Sequence, residues 1–128
     1  MNYTALQVKT SYSILNSLND IKKLVSLAVK YGYSSLAITD DANMFGVMEF
    51  YKECLNSGIK PIIGIELHIL EYVVLLYAKN NHGYKNLLKL STIVSERELT
   101  IQDLNTYKED LILIMPYTSY NEEIYNIY

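Results

Sequence analysis

Three carboxylates stand directly after two apolar stretches of the sequence. Asp40 and Asp41 follow residues 35–39, and Glu66 follows residues 61–65. Carboxylate oxygens are the ligands that hard divalent cations prefer, and a bound cation can activate a water molecule. Acidic residues also cap the starts of helices at such places. The residue types alone favour this simpler explanation over a metal site.

The stretch between these carboxylates predicts a strand, a helix and a second strand. Apolar residues recur at helical spacing and so share one face of a helix. They are Val47, Phe50, Tyr51, Cys54 and Leu55. Gly58 ends the helix. Both flanking strands are apolar without polar alternation, as in parallel strands covered on both faces. A right-handed crossover would bring the three carboxylates to one edge of the sheet.

The remaining elements complete a predicted α/β fold with mostly parallel strands and flanking helices. Strands are expected at residues 3–8, 35–39, 61–65, 72–78 and 111–115, and further helices at residues 20–31, 83–97 and 101–106. Asn19 is the expected N-cap of the first helix. The very short connection before Tyr72 allows an antiparallel pair or a hairpin. Gln7 and Lys9 point to the same side of the first strand.

Composition limits the kind of protein. The chain has 128 residues, half of them hydrophobic, which is enough for one domain with a substantial core. A formal charge of -3 offers no basic surface for holding a polyanion. The single cysteine, Cys54, lies on the apolar helix face, which indicates packing in a reducing compartment. No apolar run reaches ~18 residues and no signal peptide is recognisable, so we expect a cytoplasmic protein without a membrane contact.

Three segments carry a family resemblance. They read L-A-I-T-D-D-A-N-M-F-G-V-M-E-F-Y-K, G-I-K-P-I-I-G-I-E and L-L-Y-A-K-N-N-H-G-Y-K-N-L-L-K-L-S. In this order they resemble the N-terminal PHP (polymerase and histidinol phosphatase) domain of the bacterial DNA polymerase III alpha subunits. The block N-M-F-G-V-M-E-F-Y-K is more typical of this branch than of free-standing PHP phosphatases. The resemblance implies that residues 1–128 are the N-terminal portion of a PHP domain, a partial distorted (β/α) barrel cut from a larger chain.

The resemblance also implies a rim that holds up to three divalent metals in active members. In that pattern the first strand ends in H-x-H-T, the second in T-D-H, and the third carries a glutamate. Here the first motif reads Q-V-K-T at residues 7–10 and the second T-D-D at residues 39–41. Only Asp40 and Glu66 match ligand positions of the family.

We therefore expect a vestigial metal-site rim without a catalytic residue and without a metal. Its members would be Gln7, Lys9, Asp40, Asp41 and Glu66. A glutamine amide is a weak neutral ligand, and a protonated lysine has no lone pair to offer. In this hypothesis the Lys9 ammonium occupies the former metal cavity and pairs with the remaining carboxylates. If a metal is bound at all, Asp40 and Glu66 are the expected ligands.

The resemblance further implies a role for the larger chain. That chain would be a DNA-directed DNA polymerase that uses Mg²⁺ to add deoxynucleotides to a primer end, with catalytic carboxylates beyond residue 128. The present segment would bind no cofactor and would support the polymerase core of the same chain. It would also offer a docking surface to a proofreading exonuclease or other replisome subunits. DNA would be bound by the parent chain and not mainly by this segment.

Two alternatives remain at this point. The first is a metal-dependent phosphoesterase or exonuclease that uses Asp40 and Glu66, with Asp41 and His68 as further candidates. His68 falls where the family has no ligand, which favours a structural or solvent-exposed role. The second alternative is a stand-alone interaction module. His82, in a polar turn before a helix, is expected to be solvated.

Overall fold

The computed structural model describes residues 3–13 and 20–128 of the chain. They form two compact units, Met1–Ile63 and Gly64–Tyr128. Both units combine helices with strands of a sheet, in agreement with the predicted α/β class. Within the described part of the chain, no helix is long and apolar enough to cross a membrane.

In its described residues, the first unit contains two helices, one buried strand and the beginning of a second strand. Helix α1 (Ile21–Lys30) is followed by strand β1 (Ser35–Asp41), helix α2 (Val47–Asn56) and the beginning of strand β2 (Lys60–Ile69). β1 neighbours β2 in the sheet. Gly32 and Gly58 have φ angles of 73° and 70°, so both helices end at the left-handed glycine that the sequence indicates. The predicted central unit of strand, helix and strand is thus confirmed.

Two details of these helices differ from the predictions. The N-cap of α1 is Asp20, whose side chain accepts hydrogen bonds from two backbone amides. The predicted cap, Asn19, lies outside the described residues. On α2 only Val47, Phe50 and Cys54 are buried, while Tyr51 and Leu55 are 43% and 54% exposed. The apolar arc of α2 is therefore wider than the surface it packs against.

The predicted first strand is absent from the described part of the chain. Residues 3–10 form no regular strand, although the carbonyls of Ala5 and Val8 accept bonds from the Ala37 and Thr39 amides at 3.3 and 2.8 Å. The Val8 amide donates to the Thr39 hydroxyl at 2.9 Å. The Thr39 hydroxyl thus replaces a backbone carbonyl as the acceptor of the Val8 amide. This interrupts the regular pattern of backbone hydrogen bonds between residues 3–10 and β1. Residues 3–13 and 20–128 contain four strands where five were expected.

The second unit contains an antiparallel sheet. Strand β3 (Tyr72–Ala78) pairs antiparallel with β2, and strand β4 (Leu111–Ile114) pairs antiparallel with β3. The hairpin expected before Tyr72 is confirmed, with Leu70 at a φ angle of 55° in its turn. The expected mostly parallel pairing therefore does not apply to either of these two ladders. The reason at β2 and β3 is that a two-residue connection can join only antiparallel strands.

Three α-helices and a short 3-10 helix (Tyr117–Ser119) complete the second unit. Helix α3 (Asn81–Glu96) packs against β3, helix α4 (Ile101–Thr106) precedes β4, and helix α5 (Glu122–Tyr125) lies at the C-terminal end. α3 begins at Asn81 and not at the predicted Gly83, because the Asn80 side chain caps it by accepting from the Gly83 amide at 3.0 Å. α4 has the predicted capping box of Thr100 and Asp103.

Candidate functional site

A buried carboxylate at the end of β1 is the centre of the candidate site in the first unit. The Asp40 residue is 1% exposed. Its Oδ1 accepts from the Thr10 amide at 2.6 Å and from the Ser13 hydroxyl at 2.8 Å. Its Oδ2 accepts from the Thr10 hydroxyl at 2.6 Å. Three donors therefore stabilise the charge of Asp40 inside the protein.

The donors are themselves fixed by a tight turn. The Ser13 amide donates to the Thr10 carbonyl at 3.0 Å, and the Thr10 hydroxyl accepts from the Tyr12 amide at 3.2 Å. The Ser13 hydroxyl also accepts from the Asp41 amide at 2.9 Å. Thr10 and Ser13 are both buried. This turn and the end of β1 form one connected network, which we call the Asp40 network (Thr10, Ser13, Asp40 and the Asp41 amide).

A second turn lies beside this network. The Asn43 side chain donates to the carbonyls of Tyr12 and Asp41 at 3.1 and 3.0 Å, and it accepts from the Phe45 amide at 3.2 Å. A Cβ atom added to Gly46 would lie 2.8 Å from the Tyr12 ring, so a side chain at this position would displace that ring. A cavity of about 330 Å³ opens here. Its lining consists of Ser11, Tyr12, Ser13, Asp41, Asn43 and Phe45.

Tyr12 links this turn to α2. Its hydroxyl donates to Oε2 of Glu49 at 3.0 Å. The hydrogen bond and the negative charge of Glu49 raise the pKa of Tyr12 above its usual value. The phenol therefore keeps its proton at neutral pH and acts as a hydrogen-bond donor.

Gln7, Lys9 and Asp41 lie in the first unit with Asp40. Gln7 is exposed, whereas Lys9 and Asp41 are half-buried. Three hydrogen bonds from Thr10 and Ser13 reach Asp40. The predicted pairing of Lys9 with the carboxylates stays a prediction.

Glu66 belongs to the second unit. It lies in β2 opposite Leu75 and is 4% exposed. Two residues before it, Gly64 lies opposite Tyr77, and an added Cβ would come within 2.7 Å of the Tyr77 ring. Burial and then the charge of Glu66 raise the pKa of Tyr77 to about 12. His68, two residues after Glu66, is exposed. The convergence of Glu66 with Asp40 and Asp41 on one rim stays a prediction.

Cys54 and His82 are the other side chains that the sequence analysis considered. Cys54 is fully buried, and burial followed by the charge of Glu53 raises its pKa to about 11. It is therefore a protonated packing residue, as expected. His82 was predicted to be solvated, and it is exposed. It also contacts a carboxylate, since its Nδ1 lies 2.9 Å from Oδ2 of Asp110. The two residues are 28 positions apart in sequence, so no local pattern indicates this pair.

Several residues of the site escaped the sequence analysis. Thr10, Ser13 and Asn43 supply side-chain hydrogen bonds around β1, and Gly46 permits the close approach of Tyr12. Hydroxyl side chains follow directly after Lys9, and this run is a sequence signal that could have indicated Thr10 and Ser13. Their partner lies 27 to 30 residues further along the chain.

The donor set of the first unit does not fit the metal centre that the family implies. Gln7 and Lys9 occupy the two histidine positions of the first motif, and Asp41 occupies the histidine position of the second. The remaining ligand, Asp40, already accepts three hydrogen bonds. Hydroxyl and amide donors therefore compensate the charge of this carboxylate.

Comparison with known proteins assigns the family. The PHP domain family matches residues 5–127. The chain therefore belongs to the PHP domain family, as the sequence motifs indicate.

The relatives point to one branch of that family. The chain is 41% identical to the DNA polymerase III subunit alpha of Bacillus subtilis, with 91% of the chain and 11% of the relative covered. The same protein of Halalkalibacterium halodurans is also 41% identical, with coverages of 92% and 12%. The Borreliella burgdorferi subunit is 38% identical over 84% of the chain. The chain thus spans about a ninth of the length of these relatives.

Two solved structures share the fold at low sequence identity. A Bifidobacterium adolescentis protein assigned as a metal-dependent phosphoesterase has a TM-score of 0.55 and 19% identity, over 67% of this chain and 32% of its own. An amidohydrolase from Chromobacterium violaceum, with bound sulfate and no metal, has a TM-score of 0.56 and 14% identity, over 72% and 33%. These likenesses concern the fold alone.

Proposed function

We propose that this chain is the N-terminal PHP segment of the alpha subunit of a bacterial replicative DNA polymerase. The observation that carries the proposal is the identity of 41% to DNA polymerase III subunit alpha over 91% of the chain. In this role the complete polypeptide adds deoxynucleotides to a primer end in the cytoplasm, with Mg²⁺ at carboxylates outside residues 1–128. The present segment contacts the polymerase core, and it offers a surface to partners such as a proofreading exonuclease.

We further propose that this segment is structural and does not hydrolyse phosphoesters. The Asp40 network supports this role, because the carboxylate that would ligate a metal is held by Thr10 and Ser13. A lysine at one of the family's histidine positions repels a cation, and a metal-bound hydroxide cannot form without enough ligands. The net charge of -3 also agrees with a segment that leaves DNA binding to the rest of the polymerase.

The size of the native polypeptide tests the first proposal. An antibody against residues 43–66 is used to probe lysate of the source cells. A band roughly an order of magnitude heavier than 14.8 kDa is expected, since the relatives are about nine times longer than this chain. A band at 14.8 kDa would overturn the polymerase proposal and favour a stand-alone interaction module.

A metal-dependent phosphoesterase is the second candidate function. Glu66 and His68 carry side chains that can bind a divalent cation, and the Bifidobacterium adolescentis protein assigned to that activity shares the fold. The complete polypeptide is assayed for release of p-nitrophenol from a phosphate ester with Mn²⁺ or Zn²⁺. We expect no turnover above that of a Glu66→Gln variant. Activity that Glu66→Gln abolishes would establish the second candidate.

A further inference from the structure

An exposed ion pair joins the start of helix α3 to the turn that precedes strand β4. Nδ1 of His82, in the first turn of the helix, lies 2.9 Å from Oδ2 of Asp110. The two side chains are 54% and 39% exposed, so solvent reaches both groups and can protonate them. Because the residues are 28 positions apart in sequence, the pair closes a loop that contains most of α3 and the whole of α4.

The backbone around Asp110 holds this carboxylate against the helix. Asp110 has a φ angle of 58°, in the left-handed region that aspartate and asparagine adopt more readily than other side chains. Its carbonyl oxygen accepts from the Lys79 amide at 2.9 Å. A Cβ atom on Gly83 would collide with the same carbonyl, so a side chain there would push α3 away from the turn. The Asn86 side chain also donates to the Glu109 carbonyl at 3.0 Å.

We propose that the His82–Asp110 pair is a proton-controlled clasp between α3 and the turn before β4. The pair carries opposite charges only while the imidazole is protonated and the carboxylate is ionised. A histidine side chain changes its charge between about pH 5 and 8. The clasp is therefore strongest in mildly acidic solution and weakens as the pH rises through neutrality. It is a property of the second unit alone and does not depend on the function proposed above.

The carboxylate of the clasp stays ionised over the range in which the imidazole titrates. The hydrogen bond to His82, followed by one to the Asn80 side chain, lowers the pKa of Asp110 below its usual value. A carboxylate with a lowered pKa contributes its stabilisation above the ordinary aspartate pKa of about 3.9 and loses it only as the pH falls below that value. Protonation of the imidazole alone therefore sets the state of the clasp between about pH 5 and 8.

The other charged groups next to the pair in sequence do not compete with the imidazole as the titrating group. They are Lys79, Lys85, Lys108 and Glu109. Lysine and glutamate side chains ordinarily titrate outside this pH range. Nζ of Lys108 donates to Oδ1 of Asn105 at 3.1 Å, which directs it towards α4. Strand β3, against which α3 packs, reads Y-V-V-L-L-Y-A, and tyrosine phenols are ordinarily neutral below about pH 10.

Hydrogen exchange in the complete polypeptide, followed by mass spectrometry, tests the clasp. Protection of peptides that cover residues 79–84 and 109–114 is measured at about pH 6 and about pH 8, on either side of neutrality, and corrected for the intrinsic exchange rate. The variants are His82→Gln, Asp110→Asn and their combination. Asparagine suits the positive φ angle at position 110, so this variant keeps the backbone of the turn. Lys85→Gln is the control, because it removes a charge from the same helix and leaves the pair intact.

The expected result is that protection of both segments falls about threefold between the lower and the higher pH, as the loss of one exposed ion pair implies. Lys85→Gln should keep this pH dependence, and both His82→Gln and Asp110→Asn should lose it. A dependence that persists in His82→Gln would overturn the inference, because another group would then titrate. One that persists in Asp110→Asn would overturn it too, because the proton would then act without the pair.

The double variant separates the charge from a plain hydrogen bond. A neutral imidazole can still donate a proton to a carboxylate, so the pair could hold without any control by pH. The coupling between positions 82 and 110, taken from the four proteins as a double-mutant cycle, should be about threefold at the lower pH and close to none at the higher pH. Equal coupling at both pH values would show a permanent hydrogen bond and would overturn the proposed control by protonation.

Discussion

Replacement of Thr10 by valine isolates the contribution of the hydroxyl donor in the Asp40 network. Valine resembles threonine in shape but lacks the hydroxyl. The substitution removes the 2.6 Å hydrogen bond to Oδ2 of Asp40 and the acceptor of the Tyr12 amide at 3.2 Å. The amide hydrogen bond from Thr10 to Oδ1 remains, because it belongs to the backbone.

The magnitude follows from the charge and the burial of the acceptor. A hydrogen bond to a charged group contributes about 1.5–3 kcal/mol to stability, and a buried charge that loses a donor also keeps its desolvation penalty. Tyr12 is partly exposed, so water can replace the acceptor of its amide. We therefore expect Thr10→Val to lower the free energy of unfolding by about 2 kcal/mol. For a domain of this size, that loss lowers Tm by about 6–10 °C.

Urea unfolding followed by circular dichroism measures the effect, with thermal melts as a second readout. Ser11→Ala is the control, because it removes an exposed hydroxyl from the same turn and should change the unfolding free energy by less than about 0.5 kcal/mol. The coupling is measured by a double-mutant cycle with Asp40→Asn. The cost of Thr10→Val should shrink in the asparagine background, since the charge is gone.

Two results would refute this reasoning. One is a loss for Thr10→Val no larger than that for Ser11→Ala. The other is an equal cost of Thr10→Val with and without the Asp40 charge, because the hydroxyl would then contribute through packing and not through the carboxylate.

Three further predictions concern other parts of the chain. Lys9→Ala should lower stability by about 1–3 kcal/mol at neutral pH, since its loss leaves acidic groups less compensated, and an unchanged thermal melt would count against that role. Gly83→Ala should cost about 3 kcal/mol in urea unfolding, because the added Cβ collides with the Asp110 carbonyl oxygen, and a loss below about 1 kcal/mol would mean that the turn yields. The hydrogen bond from Arg97 holds the pKa of Asp103 well below its usual range. Because the pKa of Asp103 is lowered in the folded state, its pair with Arg97 stabilises the fold at pH values above the ordinary aspartate pKa of about 3.9. This stabilisation is lost as the pH falls from that value towards the folded-state pKa. An NMR titration should show the Asp103 midpoint rising in Arg97→Gln, and identical midpoints would contradict this assignment.

The central unit of the fold was accessible from the sequence because its signals are local. The apolar runs before Asp40 and Glu66, the helical spacing between them and the stop at Gly58 each depend on a few neighbouring residues. The first strand was predicted for the same reason and was wrong. There the Val8 amide bonds to the Thr39 side chain, 31 residues away, and periodicity does not report such a bond.

The site was accessible only in part. Asp40 and Glu66 were singled out because each follows an apolar run, and both are buried, although β2 continues past Glu66 to Ile69. The donors of Asp40 were missed, because Thr10 and Ser13 are brought to it by tertiary folding. The faces of α2 were also only half predicted. Helical spacing identifies apolar residues but does not say which of them the neighbouring elements cover, so Tyr51 and Leu55 were placed in the core.

The Asp40 network explains how a carboxylate at a ligand position of the family can remain buried when other ligand positions have changed. A buried charge requires a cation or enough hydrogen-bond donors. With Gln7 and Lys9 at the histidine positions, the donors Thr10 and Ser13 meet that requirement at distances of 2.6–2.8 Å. Asp40→Asn should therefore destabilise the chain, while the affinity of the chain for Mn²⁺, measured by calorimetry, stays unchanged. A site that still depends on Asp40 as a metal ligand would lose affinity as well as stability.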